Sequence, residues 1–270
     1  MMQEKKNITL ISAKNPKSLL PNALTIIGVC SGLSSIKFAL DSNFDLAIIA
    51  LLFAAILDSL DGRIARLIRV TSKVGKELDS LTDVISFGVA PGFIMYFWSI
   101  KSLGKIGWMI VLIYAVCCAL RLARFNLTSE EHAETWKVNF FQGVPSPAGA
   151  GLVLLPLILN YSNFYILKDA SVVSAVVILI TSFLMVSNIP TYSLKKIIIP
   201  RNYTIFLLLG IGTYFGLLVV FTFQTLFISG LVYCLFIPVS YFHFKILNKK
   251  FKFSDNNLKK EKEEVAEDIL

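Results

Sequence analysis

Apolar stretches close to twenty residues long recur along this chain, and that recurrence limits the fold more than any other feature. They cover about residues 20–40, 44–67, 77–98, 104–122, 146–161, 172–189, 203–223 and 226–247. Each is near the ~20 residues a helix needs to cross the hydrocarbon core of a bilayer. Composition agrees: hydrophobic residues make up 55% of the 270 and charged residues 16%, with a mean hydropathy of +0.69. An ordinary soluble domain is excluded. The expected fold is all-α, a polytopic membrane helical bundle of about eight transmembrane helices, occupying residues 20–248 as one domain. Residues 1–19 form a polar, basic N-terminal segment, either a short interfacial helix with Ile8, Leu10 and Ile11 on its apolar face or a disordered arm. Residues 249–270 form a charged tail, solvated or frayed, with no chemistry of its own.

The net charge of +8 reads as membrane topology rather than nucleic-acid binding, since no basic stripe is interleaved with aromatics. With both termini inside, 22 of the 26 lysines and arginines fall on the inner side, and Lys37, Lys101, Lys105 and Lys168 are the other four. That bias places both termini in the cytoplasm. The apolar run from near Leu19 lacks a small-residue cleavage site, so no removable signal peptide is expected. Cys30, Cys117, Cys118 and Cys234 lie in or beside apolar runs without metal-type spacing and read as small buried hydrophobes. His132 and His243 are isolated.

Against this background the stretch from Asp58 to Asp83 stands out, with four aspartates among apolar spans. Asp58 and Asp61 are three apart, and Asp79 and Asp83 are four apart, so on helices each pair projects from one face. If the segment between them turns, four carboxylates converge on one small volume at the end of spans two and three. Such a cluster is tolerable at a membrane edge only with divalent cations among the carboxylates, and all-oxygen ligands suit Mg²⁺ or Mn²⁺. Gly62 and Ala65 leave room for a ligand to approach the helix closely. Pro21, Asn22, Thr25, Arg121, Arg124, Asn126, Ser146 and Asn188 all fall near the same ends of their spans, which predicts one polar cavity facing the cytoplasm.

Written out, the spacing is D-x2-D-G-x2-A-R-x8-G-x3-D-x3-D, met at Asp58, Asp61, Gly62, Ala65, Arg66, Gly75, Asp79 and Asp83. It resembles the signature of the CDP-alcohol phosphatidyltransferases, integral membrane enzymes of phospholipid synthesis. That resemblance implies transfer of a phosphatidyl group from CDP-diacylglycerol to an alcohol with release of CMP. It makes Asp58, Asp61, Asp79 and Asp83 metal ligands, holding two ions that stabilise the phosphoryl oxygens and the leaving group. Asp83 would also be the catalytic base that takes the hydroxyl proton. Asn22 and Thr25, in a PNxxT pattern, with Gly62, Arg66, Ser72 and Gly75, are the expected CDP-diacylglycerol contacts. Arg66 suits phosphate through its planar fork. Lys73 and Lys76 either assist there or set topology.

Three further stretches bear on the acceptor: RLARFN at 121–126, GVPSPAGA at 143–150 and SNIPTYSLKK at 187–196. With the DSLTDVISFGVAP wording of span three they look like the bacterial CDP-diacylglycerol–serine branch of the same superfamily, so L-serine is the expected acceptor. Serine carries a carboxylate and an ammonium, for which Arg121, Arg124, Asn126 and Ser146 are suitably placed, beside Asp83 in the expected cavity. Other acceptors stay open, namely glycerol 3-phosphate, inositol phosphate or choline. A cation transporter with an intramembrane acidic cluster is the non-enzyme alternative. The resemblance also implies a homodimer in the cell membrane with its active site in the cytoplasm.

Overall fold

The computed structural model describes residues 19–68, 73–128, 140–193 and 203–267. The N-terminal segment as far as residue 18, Ser72 and the last three residues of the SNIPTYSLKK stretch lie outside the described residues. Two compact units divide the chain after Trp98.

In the first unit, α1 (Leu19–Leu40) and α2 (Phe44–Leu67) form a helical hairpin. Its turn is short because α1 ends in a closed C-terminal motif. Ser42 takes the left-handed conformation at φ 61°, the Asn43 N–H donates to Phe38 O at 2.9 Å, and the Ser42 N–H donates to Ala39 O at 3.1 Å. Those two bonds satisfy helix-end carbonyls that would otherwise be orphaned. The rod that follows runs as α3 (Lys73–Asp83), a π-helical stretch (Val84–Val89) and α4 (Ala90–Trp98). The π stretch begins directly after Asp83 and buries Ser86, Phe87 and Gly88, and α1 packs against it. Gly32 makes that approach possible: a Cβ added there would meet the Ser86 Oγ at 2.5 Å. Ala47, Ile48, Leu51, Ala54, Phe87, Ala90, Ile94 and Met95 fill the interior.

The second unit opens with a 3-10 turn (Ile100–Leu103) and continues through α5 (Gly104–Thr128), β1 (Phe140–Gln142), α6 (Ser146–Tyr161), α7 (Ala170–Val186), β2 (Pro190–Tyr192), α8 (Thr204–Val220) and α9 (Thr222–Glu267). Helix α7 packs on α5 and α6, and α9 packs on α6, α8 and β2. The two short strands pair antiparallel, Phe140 with Tyr192, Phe141 with Thr191 and Gln142 with Pro190. Sequence periodicity did not announce this ribbon, because three residues are too few to show an alternation. At 46 residues α9 is roughly 69 Å long, more than twice the ~30 Å hydrocarbon core, so it carries the expected last span and runs on without a break into the charged tail.

The helices follow the expected spans in order, and the fold is all-α apart from the ribbon. Among the described residues, four stretches are long and apolar enough to cross a membrane: Leu20–Leu40, Gly75–Trp98, Ile100–Leu127 and Thr222–Asn248. Helix α2 has the length, 24 residues, but Asp45, Asp58, Asp61, Arg63 and Arg66 crowd its ends with charge. Helices α6, α7 and α8 are shorter, at 16, 17 and 17 residues.

Candidate metal and substrate site

Asp58 and Asp61 stand in the last turns of α2, and Asp79 and Asp83 stand on α3 just before the π stretch. One carboxylate oxygen each from Asp58, Asp61 and Asp79 can be chosen so that all lie within 4.8 Å of one another. Asp83, one turn after Asp79 on α3, is a near neighbour of Asp58. The expected convergence is therefore present for Asp58, Asp61 and Asp79, with Asp83 next to Asp58. Asp61 is the most enclosed, at 4% exposure. Its Oδ2 accepts a 2.6 Å hydrogen bond from the Thr25 hydroxyl, which also approaches Pro21 O at 3.0 Å. Arg66, one turn beyond Gly62, acts electrostatically on Asp79. Its Nη1 would lie 3.8 Å from a Cβ added at Gly62, an ordinary contact, so the guanidinium lies over the glycine without requiring it.

The charge arithmetic decides what such a cluster can do. Two unit charges 4.8 Å apart repel by roughly 3.5 kcal/mol at an effective dielectric of about 20. Three such pairs approach the whole ~5–15 kcal/mol stability of a typical domain, and one arginine does not offset them. The donors are all hard carboxylate oxygens, suited to a divalent cation with oxygen ligands. The residues fit a metal.

In the second unit the three stretches singled out for the acceptor meet. Arg121, on α5 and 6% exposed, donates from Nη1 to the Oγ of Ser146 at 3.1 Å. Ser146 opens α6 and is 1% exposed. Arg124, one turn on, serves the end of α7: Nη1 donates to Val186 O at 2.8 Å and to Asn188 Oδ1 at 3.0 Å, and Nη2 donates to Ser187 O at 3.2 Å. A cation on the last carbonyls of a helix is favourable, so Arg124 has a structural task there. Gly143 closes the other side of the same helix end. Its N–H donates to Ile189 O at 2.9 Å, and its φ of +75° together with Met185 O only 2.6 Å from an added Cβ leaves glycine alone acceptable.

Asn22 sits in the first turn of α1, Gly75 in the first turn of α3 and Asn126 near the end of α5, all partly exposed. Thr25, expected at the nucleotide, donates to Asp61, a bond that its place one turn after Pro21 gave no sign of. Two further side chains escaped sequence reasoning: Thr191 on β2, 2% exposed, and Tyr233 on α9, whose hydroxyl faces Thr191 and Arg121. The strand pairing and the packing of α9 on β2 bring the two together.

The profile described as CDP-alcohol phosphatidyltransferase matches residues 18–187. The chain belongs to this family. A protein of Mycobacterium tuberculosis named CDP-diacylglycerol–serine O-phosphatidyltransferase is 37% identical over 70% of this chain and 66% of its own length. The chain thus spans about two thirds of that relative. A protein of Helicobacter pylori with the same name is 39% identical over 68% of this chain and 76% of its own. An archaetidylserine synthase of Methanothermobacter thermautotrophicus is 34% identical over 70% and 73% respectively. The phosphatidyltransferase match takes in α1 to the end of α7, hence the aspartate cluster, Arg121, Arg124 and Ser146, while β2, α8 and α9 lie beyond it.

Proposed function

We propose that the chain transfers the phosphatidyl group of CDP-diacylglycerol to the hydroxyl of L-serine, giving phosphatidylserine and CMP. The observation that carries the reaction type is the convergence of Asp58, Asp61 and Asp79, with Arg66 acting on Asp79 and Asp83 neighbouring Asp58. The choice of serine is supported by the names of the relatives and by the buried Arg121–Ser146 pair. In this reading Asp83 accepts the proton of the serine hydroxyl as its oxygen bonds to the phosphorus carrying diacylglycerol. The bond from that phosphorus to the CMP oxygen breaks, and CMP leaves with the electron pair. A carboxylate is a weak base for an alcohol, so proton transfer follows the developing P–O bond rather than preceding it. Arg66 grips the diphosphate with Asn22, Gly62, Ser72 and Gly75 around it, and Thr25 acts through Asp61. Asp58, Asp61, Asp79 and Asp83 would hold divalent cations, Mg²⁺ or Mn²⁺ and two by the family resemblance, which neutralise the phosphoryl oxygens and the leaving group when bound.

The same reading gives eight membrane spans in the cell membrane, a cavity open to the cytoplasm, both termini in the cytoplasm, and a homodimer. Helices shorter than a bilayer is thick are accommodated by local thinning of the lipid. The deciding experiment is CMP release by the purified protein from CDP-diacylglycerol. Release that needs an added alcohol, with serine the best of serine, glycerol 3-phosphate, inositol phosphate and choline, is the expected result. A better rate with another acceptor overturns the serine assignment, and ion flux without CMP release overturns the enzyme.

A further inference from the structure

Tyr233 carries a buried polar group that the reaction as described does not use. Its hydroxyl oxygen is buried and makes no hydrogen bond among the described residues. It faces Thr191 and the Arg121 guanidinium. Thr191 is fixed, because its own hydroxyl donates to Gly143 O at 2.8 Å, and Arg121 is fixed on Ser146. Two turns on along the same face of α9, Ser240 is 0% exposed and its Oγ also lacks a partner. Buried hydroxyls are normally paired, and each exception calls for an explanation. Here the packing of α9 on β2 sets the phenol O–H beside Thr191, within electrostatic range of the Arg121 guanidinium.

We propose that Tyr233 is a further acceptor-binding residue, its hydroxyl donating to the carboxylate of the incoming amino alcohol beside Arg121. The inference rests on the serine reading above and goes beyond it by naming a residue outside the region shared with the family at large. A carboxylate offers two oxygens and about four lone-pair directions, so it accepts a guanidinium and a phenol at once. Among the described residues, the groups that act on the Tyr233 hydroxyl are Arg121 and the neutral Thr191 and Cys234. That suits one negative charge better than the two of a phosphate monoester. The site therefore selects an acceptor bearing a carboxylate.

The test is Tyr233→Phe in the full chain, purified in detergent and assayed by CMP release against the parent. The KM for serine is expected to rise about tenfold, equivalent to ~1.4 kcal/mol, with kcat and the KM for CDP-diacylglycerol within about twofold. Against 2-amino-1,3-propanediol, which lacks the carboxylate, the variant should perform like the parent. The thermal midpoint without serine should stay level or rise, since an unpaired buried hydroxyl has been removed. An unchanged serine KM overturns the inference, and so does an equal loss toward both alcohols with a lowered midpoint, which marks a structural role. The parent separates the two levels. No serine-dependent release by the parent overturns the serine reading itself, whereas normal release by the parent with an unaltered variant overturns the assignment of Tyr233 alone.

Discussion

Replacing Thr25 by valine tests the best-defined bond in the aspartate cluster. Thr25 is 6% exposed and its Oγ1 lies 2.6 Å from Asp61 Oδ2. Valine keeps the shape and β-branching and deletes only that donor. A hydrogen bond to a charged group is worth roughly 1.5–3 kcal/mol, or about ten- to a hundredfold in an equilibrium constant. Two effects oppose each other. The hydroxyl withdraws a little charge from Asp61, which weakens its hold on a cation, and it fixes the carboxylate rotamer, which strengthens that hold. Orientation wins, because one neutral hydroxyl removes a fraction of a charge, while a free rotor must be ordered anew at each binding event. Partners of metal-ligating groups typically show losses of this size. The Thr25→Val protein should therefore need about ten- to a hundredfold more Mn²⁺, read both from CMP release and from direct binding followed by electron paramagnetic resonance. Thr25→Ser should recover most of the affinity. An unchanged metal requirement refutes the reasoning, and a raised KM for CDP-diacylglycerol at constant metal affinity makes Thr25 a nucleotide contact, as its PNxxT setting implies.

Asp58→Asn, Asp61→Asn and Asp79→Asn should each abolish CMP release. In chelator each should melt at or above the parent temperature, since each removes two repulsive pairs; scanning fluorimetry checks this, and a clear drop speaks against the cluster being strained. Chelation of the parent should stop turnover reversibly. Arg121→Ala should raise the serine KM about ten- to a hundredfold at constant lipid KM, whereas Arg124→Ala should act mainly on stability, by about 2–3 kcal/mol for its bonds to the end of α7, read from thermal melts with the two variants side by side. Cysteine labels at Glu130 and Leu270 should react from the cytoplasm and one at Asn43 from outside; outer labelling at Glu130 would overturn the orientation.

Sequence spacing carried the aspartate cluster because helix geometry carries it. Residues three and four apart share a face, so Asp58 with Asp61 and Asp79 with Asp83 needed only two helices and a turn between them. The spans were legible for the same reason, since 20-residue apolar runs have few alternatives, and the starts of α2 at Phe44 and α6 at Ser146 fall where expected. What escaped is what depends on partners far apart in the chain. The π stretch at Val84–Val89 is shaped by α1 packing at Gly32, fifty-odd residues earlier, and VISFGV alone carries no period that marks it. The Thr25–Asp61 bond spans 36 residues, and a lone threonine in an apolar helix reads equally as one bonded to its own backbone.

The acceptor side shows the same division from the opposite direction. Arg121 and Arg124 are three apart and look equivalent as sequence, two cations ending one apolar span. Their surroundings separate them. Arg124 meets the exposed carbonyls of Val186 and Ser187, which any helix end supplies and which demand no substrate. Arg121 meets a hydroxyl, Ser146 Oγ, and a second hydroxyl group, Tyr233, turns toward it from α9. Arg124 has Nη1 and Nη2 engaged on backbone carbonyls and Asn188, whereas Arg121 donates to a side-chain hydroxyl that opens α6. Rotation by three positions along α5 thus turns one arginine toward the end of α7 and the other toward Ser146. No spacing rule applied to residues 121–126 alone distinguishes the two, because the distinction belongs to the end of α7 and the face of α9.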